Sequence, residues 1–379
     1  MKYVPIILIS WVLFSCAKPN ESAKPGLAGL DLSIDTVFIN PGVDFIHLRD
    51  NLWYSDISND GRYLFNFNRN ETVLEKIDLD NLRLDKRILF EKEGPNGIGT
   101  MLSNISVVTD EHILMWFYGL SSIFDQDGKL VRDLQFERIA EADVKLSEAY
   151  PIMLFEIDEN LFFGFYLNWK DMSYFLMEVD ADKKASRKIE LPQLERLKDY
   201  SSKVMYGDIQ MGSIGTAAFA TCFDHRIIIS NNAYNDISIY DTNTDSLYSM
   251  SLEGPLVGKS RSFVPPVQVE ADSEQEKEVS KRIKEDISYG QILWDSQSQK
   301  FLRLSSKEKF GEEKDPNGAF KATGAEVFLS IFDGNFNLVS EVIVPELKMQ
   351  PKKYFVKDGQ IWIFENMGDE LAFLRLSIK

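Results

Sequence analysis

The chain has 379 residues, of which 44% are hydrophobic and 12% aromatic, and its formal net charge is −17. This length and apolar content predict one large domain or two ordinary ones with a substantial core. The acidic balance excludes a typical nucleic-acid-binding protein, because phosphates attract basic surfaces, and it disfavours docking flat onto anionic lipid. We therefore expect no nucleic-acid partner, and the sequence leaves the oligomeric state open.

Residues 1–15 predict a secretory signal peptide. Lys2 precedes an apolar run from Tyr3 to Phe14, which is too short for a membrane span because a spanning helix needs about 20 apolar residues. The segment Leu13 to Cys16 resembles a bacterial lipobox, although Phe14 is bulkier than the usual residue there. We expect cleavage before Cys16 and lipidation of Cys16. A plain signal peptide and an uncleaved anchor are the alternatives.

The residues after Cys16 predict a tether and then a single domain. Residues 16–30 are rich in Pro, Ser, Lys and Gly and show no apolar periodicity, which is typical of a flexible linker. The lipid would hold the domain 31–379 in the cell envelope, at the outer membrane, the periplasmic face or the cell surface. Cys222 is the only other cysteine. Its neighbours predict a buried strand, so we expect an inert thiol and no disulfide within the mature chain.

A weak repeat runs through the mature chain. Each copy has a strand, a turn containing Asp, a very apolar strand, a loop, a strand that often ends in Asp, a second turn and a half-polar strand. Asp, Asn and Gly are expected in such turns because they tolerate positive φ. The first turns of the six copies lie at residues 59–61, 110–111, 158–160, 224–225, 295–296 and 358–359.

Six such units predict an all-β fold, namely a six-bladed β-propeller of four-stranded antiparallel blades. The second strands, such as Leu161 to Leu167, are continuous apolar runs, as expected of strands buried on both faces. The last copy has only three strands, so we expect the orphan strand Leu32 to Ile39 to complete it and close the ring. A pair of β-sandwiches is the structural alternative.

Three segments interrupt the repeat. The charged stretch Glu270 to Asp286 has Val279 and Ile283 at helical spacing, which predicts a solvated helical insertion. Residues 305–324 predict a long loop inside the fifth blade. Residues 194–215 predict a third long connection.

Several of these motifs resemble an uncharacterised, Bacteroidetes-type family of lipoproteins over essentially the whole chain. They are the lipobox-like start, Glu93 to Gly97, Ala149 to Pro151, and Tyr289 to Asp295 followed by Phe301 to Leu304. The Gly-Pro-Asn-Gly stretch is similar to the Gly-Pro-Gly-Glu turn of related propellers, with Asn in place of a glycine. The resemblance implies a six-bladed propeller and an envelope location. It implies no known reaction, so it supplies no catalytic residue.

Motifs for chemistry are weak. The three histidines, His47, His112 and His225, do not have zinc-ligand spacing, and neither a Gly-x-Ser-x-Gly elbow nor a phosphate-binding loop is complete. The aspartates near Asp78 and Asp125 suggest calcium, but neither stretch continues into a full binding loop, so we interpret both as turns. We expect no metal, no cofactor and no assigned catalytic residue.

The most informative signal is topological. In an antiparallel blade, the loop between strands two and three lies at the same end as the link to the next blade. Asparagines and aromatic residues are frequent in these connections, with Asn96 among them. Because loops on a rigid scaffold commonly carry binding sites, we predict a ligand-binding face there, although Asn is also favoured in turns for backbone reasons alone. The predicted ligand-binding residues are Asn68, Arg69, Asn70, Tyr118, Tyr150, Asn168, Trp169, Lys170, Asn231, Asn232, Tyr234, Tyr289 and Asn366.

Three classes of function remain open. The leading hypothesis is a binding or scaffold protein that captures a glycan, a peptide or a partner protein without turnover. The second is an enzyme, for example one acting on glycans, with two facing carboxylates near the channel and one pKa raised by burial. The third is a structural component of the envelope.

Overall fold

A computed structural model describes residues 30–99, 104–109, 111–117, 119–140, 144–158 and 160–378. The predicted signal peptide, the tether with Cys16, and Tyr118 lie outside the described residues. Strands are the dominant secondary structure of the described chain and its helices are few and short, which confirms the all-β prediction. The strands form mostly antiparallel, four-stranded sheets.

Six of the sheets have four strands each. Five of them use consecutive strands, and the sixth combines the last three strands with the first. Sheet 6 contains β1 (Leu32–Phe38). Sheet 1 comprises β2 (Ser55–Ile57), β3 (Tyr63–Asn68), β4 (Val73–Asp78) and β5 (Arg83–Leu89). Sheet 2 comprises β6 (Asn104–Thr109), β7 (His112–Phe117), β8 (Leu120–Asp125) and β9 (Leu130–Asp133).

Two strands of a smaller sheet lie between sheets 3 and 4 in chain order. Sheet 3 comprises β10 (Ala149–Asp158), β11 (Leu161–Asn168), β12 (Ser173–Asp180) and β13 (Ala185–Glu190). The strands β14 (Ser202–Tyr206) and β15 (Ile209–Ile214) follow. Sheet 4 comprises β16 (Ala218–Phe223), β17 (Arg226–Asn231), β18 (Asp236–Asp241) and β19 (Ser246–Ser251).

The remaining strands complete the smaller sheet and sheets 5 and 6. The strand β20 (Gln268–Glu270) pairs parallel with β14, which gives a three-stranded accessory sheet in the order β15-β14-β20. Sheet 5 comprises β21 (Ser288–Asp295), β22 (Lys300–Lys314), β23 (Phe320–Phe332) and β24 (Leu338–Ile343). Sheet 6 continues with β25 (Tyr354–Lys357), β26 (Gln360–Met367) and β27 (Glu370–Ile378).

Helices are short and lie between the sheets along the chain. They are α1 (Phe136–Ala140), α2 (Glu274–Glu285) and two 3₁₀ helices, Leu146–Glu148 and Pro192–Tyr200. The helix α2 lies in the predicted insertion, and Ser273 caps it by accepting a hydrogen bond from the Glu276 N–H. It is not fully solvated as expected, because Val279 and Ile283 are buried against Val269 of β20.

Two segments predicted as loops are strands. The segment 305–324 extends β22 and β23 into a long hairpin, and its alternating Lys and Glu reflect a two-stranded ribbon that water reaches on both faces. The segment 194–215 contains a 3₁₀ helix and the hairpin β14–β15.

The apolar second strands are buried on both faces, and each face meets a different neighbouring sheet. In β3, Leu64 packs in a cluster with Trp362 of sheet 6, whereas the next residue, Phe65, packs in a cluster with Ile113 of sheet 2. Alternation therefore sends successive side chains to opposite interfaces. One apolar cluster lies between each pair of neighbouring sheets, 1–2, 2–3, 3–4, 4–5, 5–6 and 6–1.

The first strands of successive sheets lie next to one another, and the orphan strand β1 pairs with the last strand. β2 lies against β6, β6 against β10, β10 against β16, β16 against β21, and β21 against β25. The pairing of β1 with β27 is antiparallel and runs from Leu32 opposite Ile378 to Phe38 opposite Ala372.

Each sheet has two chemically different ends. The connections between strands one and two and between strands three and four form what we call the turn end. The connections between strands two and three and the links to the next sheet form the loop end. At the turn end of five sheets, an aspartate at the end of the third strand or directly after it accepts backbone N–H groups of the following turn through its carboxylate. These residues are Asp78, Asp125, Asp180, Asp241 and Asp333. These turns explain the aspartates that resembled calcium ligands.

Gly290 allows sheets 5 and 6 to approach closely, which gives a first prediction. A Cβ at this position would overlap the Tyr354 hydroxyl and lie 2.5 Å from the Leu304 carbonyl oxygen. We expect Gly290→Ala to lower the free energy of unfolding by about 1–3 kcal/mol because of overpacking. A Cβ at Gly212 would meet no heavy atom within 4 Å, so Gly212→Ala is the control. Denaturant unfolding measures both, and equal stabilities of the two variants would contradict the prediction.

The turn aspartates predict acid sensitivity. Burial opposes ionisation of Asp78, but hydrogen bonds from Asn81 and Arg62 outweigh it and hold the pKa of Asp78 at about 2. A carboxylate whose pKa is lowered by folding stabilises the folded state at pH values above its unfolded-state pKa. That stabilisation is lost as the pH falls through the folded-state pKa. We expect Asp78→Asn to cost about 1–2 kcal/mol at pH 7, with the difference from the natural chain shrinking between pH 4 and pH 2. Unfolding free energies measured across this range test it, and a constant difference would contradict it.

Candidate functional site

The predicted asparagines lie at the loop end, but their side chains close the loops. The Asn68 Oδ1 accepts hydrogen bonds from the N–H groups of residues 70 and 71 at 3.1 and 3.3 Å. Asn168 and Asn366 accept one N–H each, from residues 170 and 369. Asn231 accepts two, both at 2.9 Å, from residues 233 and 234. Their carbonyl oxygens are therefore occupied by turn formation.

Three further predicted residues hold the loops around sheets 4 and 5. Tyr234 is 3% exposed and donates to the Gln193 carbonyl oxygen at 3.0 Å. Tyr289 is 1% exposed and donates to the Val257 carbonyl oxygen at 2.9 Å. The Asn232 Oδ1 accepts the N–H of residue 217 at 2.9 Å. The hydroxyls of both tyrosines thus bind the backbone of the protein itself.

The remaining predicted residues are more accessible. Trp169 is 49% exposed, and the Lys170 Nζ lies 2.6 Å from a carboxylate oxygen of Glu148 and 5.9 Å from the centre of the Trp169 ring. The Arg69 guanidinium lies over the Tyr54 ring, 4.7 Å from its centre. Asn70 is exposed and Tyr150 is half-buried. These side chains do not converge on a single depression.

Exposed large apolar side chains are distributed unevenly between the two ends of the sheets. Some lie on the outermost strands, and the others lie in or next to loop-end connections. None lies in a turn-end connection that the structure describes. A one-sided excess of exposed apolar surface marks an interaction face. The loop-end group comprises Val43, Phe45, Trp53, Trp169, Tyr206, Ile209, Met211, Val264, Val267, Met349 and Met367.

A cavity of about 360 Å³, which we call the inner-strand cavity, opens at the loop end where the innermost strands begin. It brings together the predicted residues Asn232 and Tyr289. Other predicted residues, Asn68 and Asn366, line a separate depression below Val43 and Phe45. The inner-strand cavity is lined by residues 50, 51, 53, 219, 232, 288–291, 304–306 and 350–354.

Hydrogen bonds hold the walls of the inner-strand cavity in place. The Tyr354 hydroxyl donates to the Gln291 carbonyl oxygen at 2.7 Å, and the Gln291 side-chain amide donates to the Ala220 carbonyl oxygen at 2.9 Å. The Lys353 Nζ donates to the Ser55 carbonyl oxygen at 3.0 Å. Sheets 4, 5, 6 and 1 are thereby joined around the cavity, which is a pre-formed site rather than a gap between mobile loops.

Two lining residues, Ser305 and Trp53, were not predicted from the sequence and are candidates for contact with a ligand. The Ser305 side chain is 2% exposed, and its hydroxyl has no hydrogen-bond partner among the described residues. A buried hydroxyl without a partner costs about 1–3 kcal/mol, so a ligand atom at this position would be stabilised. Trp53 is 65% exposed at the same cavity. The position of Trp53 in a loop-end link could have predicted it as a site residue, whereas nothing in the sequence distinguishes Ser305.

A pair of charged residues lies beside the cavity. The Asp56 Oδ2 accepts the N–H of Val107 at 2.8 Å. Burial raises the pKa of Asp56, and burial lowers the pKa of Lys353, while the attraction between the two groups opposes both shifts. The acid therefore interacts with an ammonium group across the junction of sheets 1 and 6. Elsewhere on an innermost strand, burial raises the pKa of the Cys222 thiol to about 11.

The charge pair gives a third prediction. We expect Lys353→Met to cost about 1–3 kcal/mol, because it removes the hydrogen bond to the Ser55 carbonyl oxygen and the attraction to the Asp56 carboxylate. A raised folded-state pKa favours the protonated acid, so the loss should be greater at pH 8 than at pH 4. The double variant Asp56→Asn/Lys353→Met should recover stability and lose this pH dependence. Denaturant unfolding at both pH values tests the cycle, and additive single-variant effects would contradict it.

The fold and the cavity define an all-β protein of antiparallel sheets with a ligand-sized site among its innermost strands. The chain belongs to the family described as "Domain of unknown function (DUF4221)", which matches residues 28–343. The expected membership of an uncharacterised family with relatives in Bacteroides is thus confirmed. No curated protein matches the sequence.

Two solved structures share the fold. A member of the DUF4221 family from Bacteroides vulgatus is 15% identical with a TM-score of 0.66, and the match covers 92% of this chain and 98% of that chain. A Bacteroides fragilis protein described as exported is 11% identical with a TM-score of 0.51, and the match covers 91% of this chain and 95% of that chain. These identities establish similarity of fold alone.

The described residues contain neither a candidate membrane-spanning helix nor a candidate metal site. Within the described ranges, no helix is long and apolar enough to cross a bilayer. In the same part of the chain, no three His, Cys, Asp or Glu side chains are grouped closely enough to hold a metal ion.

Proposed function

We propose that this protein is a lipid-anchored envelope protein whose six sheets form a closed, six-bladed β-propeller, and that its loop end captures a glycan, a peptide or a partner protein. The propeller is supported by the six apolar clusters, which include one between sheets 6 and 1. It is also supported by the pairing of β1 with β27. Radial repetition of this kind protects the edges of the sheets.

The envelope location is supported by the sequence of the amino terminus and by the similarity in fold to a protein described as exported. The proposed tether from Cys16 reaches the domain at one end of the sheets. Because Leu32 pairs with Ile378, β1 begins at the turn end of sheet 6. The tether therefore joins the turn end, and its predicted flexibility leaves the loop end accessible to a ligand.

The capture of a ligand rests on one observation above all. Outside the outermost strands, the exposed large apolar side chains lie at the loop end, and the inner-strand cavity opens at that same end. Aromatic and apolar residues around a cavity with a few polar groups are typical of binding sites. The predicted residues Trp169 and Lys170 also lie at the loop end, outside the lining of the inner-strand cavity.

An enzyme has less support. The chemistry of a glycosidase requires two carboxyl groups that flank the scissile bond. Near the inner-strand cavity, burial raises the pKa values of Asp56, Glu308 and Glu365, and the charges that oppose these shifts belong to lysine ammonium groups, Lys352 and Lys353 among them, rather than to a second carboxylate. A binding or scaffold role therefore accounts better for the geometry.

Site-specific photocrosslinking in the native envelope tests the proposed face. A benzoyl-phenylalanine in place of Phe45 or Trp169 lies at the loop end, and the same residue in place of Asn59 or Ser296 lies at the turn end as a control. We expect adducts from the loop-end positions only, because the apolar surface that a partner would bury lies there. Equal labelling from both ends would contradict the proposed binding face, and no adduct from the loop end would contradict the capture of a peptide or a partner protein there.

A further inference from the structure

We propose that the inner-strand cavity binds a short, uncharged saccharide, with one sugar ring against the Trp53 indole and a hydroxyl group bonded to Ser305. This inference rests on the proposed function, because it names the class of ligand that the loop end would capture. It adds two ligand contacts, Trp53 and Ser305, that the sequence did not predict.

The polar lining matches the chemistry of sugar hydroxyls. A hydroxyl group donates and accepts at once, and so do hydroxyl and carboxamide side chains. The lining includes the hydroxyls of Ser288, Ser305 and Ser306 and the carboxamides of Asn51, Asn232, Gln291 and Gln350. The buried Ser305 hydroxyl lacks a partner, so a hydroxyl from a ligand would complete its hydrogen bonding.

The apolar lining matches the faces of a sugar ring. Trp53 presents a broad aromatic surface that is 65% exposed, and Pro351 and Tyr354 lie among the other lining residues. An aromatic ring supplies a large, rigid contact area with little loss of side-chain freedom. The volume of about 360 Å³ lies at the small end of the usual range for ligand pockets, roughly 300–1,000 Å³, which suits a short saccharide.

The charged side chains at the cavity are of both signs. The Lys352 Nζ lies 3.2 Å from the Asn51 Oδ1, and its charge opposes the burial that raises the pKa values of Glu308 and Glu365. Asp50 lines the cavity together with Lys352 and Lys353, so the lining suits a neutral ligand better than a charged one.

Calorimetry on the full chain tests the inference with a panel of neutral trisaccharides, namely maltotriose, cellotriose, xylotriose, mannotriose and chitotriose, at millimolar concentrations. We expect at least one to bind, and Trp53→Ala to weaken its binding about tenfold or more, equivalent to at least about 1.4 kcal/mol. Trp169→Ala is the matched control, because Trp169 is also an exposed tryptophan of the loop end but does not line the cavity. It should leave the affinity unchanged.

Ser305→Ala separates a binding role from a structural one. Removing a buried hydroxyl that has no partner should leave the thermal midpoint unchanged or raise it, while weakening saccharide binding about tenfold. A purely structural serine would lower the midpoint and leave the affinity unchanged.

Each outcome decides the inference. Loss of binding in Trp53→Ala and Ser305→Ala but not in Trp169→Ala supports it, whereas affinities unchanged by the first two variants overturn the site. If no saccharide of the panel binds although loop-end crosslinks form, the saccharide inference is overturned and the proposed function stands. If loop-end crosslinks also fail to form, the proposed function itself is overturned.

Discussion

Hydrogen bonds between neighbouring innermost strands are the constraint on which the site depends. They join sheet 1 to 2 through Asp56, sheet 4 to 5 through Gln291, sheet 5 to 6 through Tyr354, and sheet 6 to 1 through Lys353. In each of these hydrogen bonds, a side-chain donor or acceptor next to one strand binds a backbone group of the adjacent strand. Partly buried polar groups must find partners, so these bonds set the spacing of the strands, and that spacing forms the walls of the inner-strand cavity.

The main sheets were predictable because their sequence pattern has a single physical cause. A second strand such as β11 packs Phe162 against sheet 2 and Phe163 against sheet 4, so it must be apolar at every position. The accessory sheet was not predictable. Its strands are short, they carry exposed apolar residues such as Ile209, and β20 joins from more than 50 residues away along the chain. Such a pairing leaves no local periodicity.

The site was predictable only as a region. The topological rule located the loop end, and the cavity opens there. The rule could not separate an asparagine that closes its own loop, such as Asn231, from one available to a ligand, because both uses favour the same residue type. Ser305 is one of two adjacent serines that follow the run Phe301 to Leu304, and its missing hydrogen-bond partner depends on residues that are distant in the sequence. The topological rule could have identified Trp53, because this residue lies in a loop-end link, but the residues around it have no distinctive pattern.

Hydrogen–deuterium exchange of the full chain, measured with and without the trisaccharide that binds it best, tests most directly whether the inner-strand cavity is the binding site. A ligand in the cavity would slow exchange in peptides that cover residues 50–54, 288–291 and 350–354. Exchange in the turns that follow the turn-end aspartates would be unchanged. Slower exchange confined to the turn end, or to the depression beside Val43 and Phe45, would contradict the account.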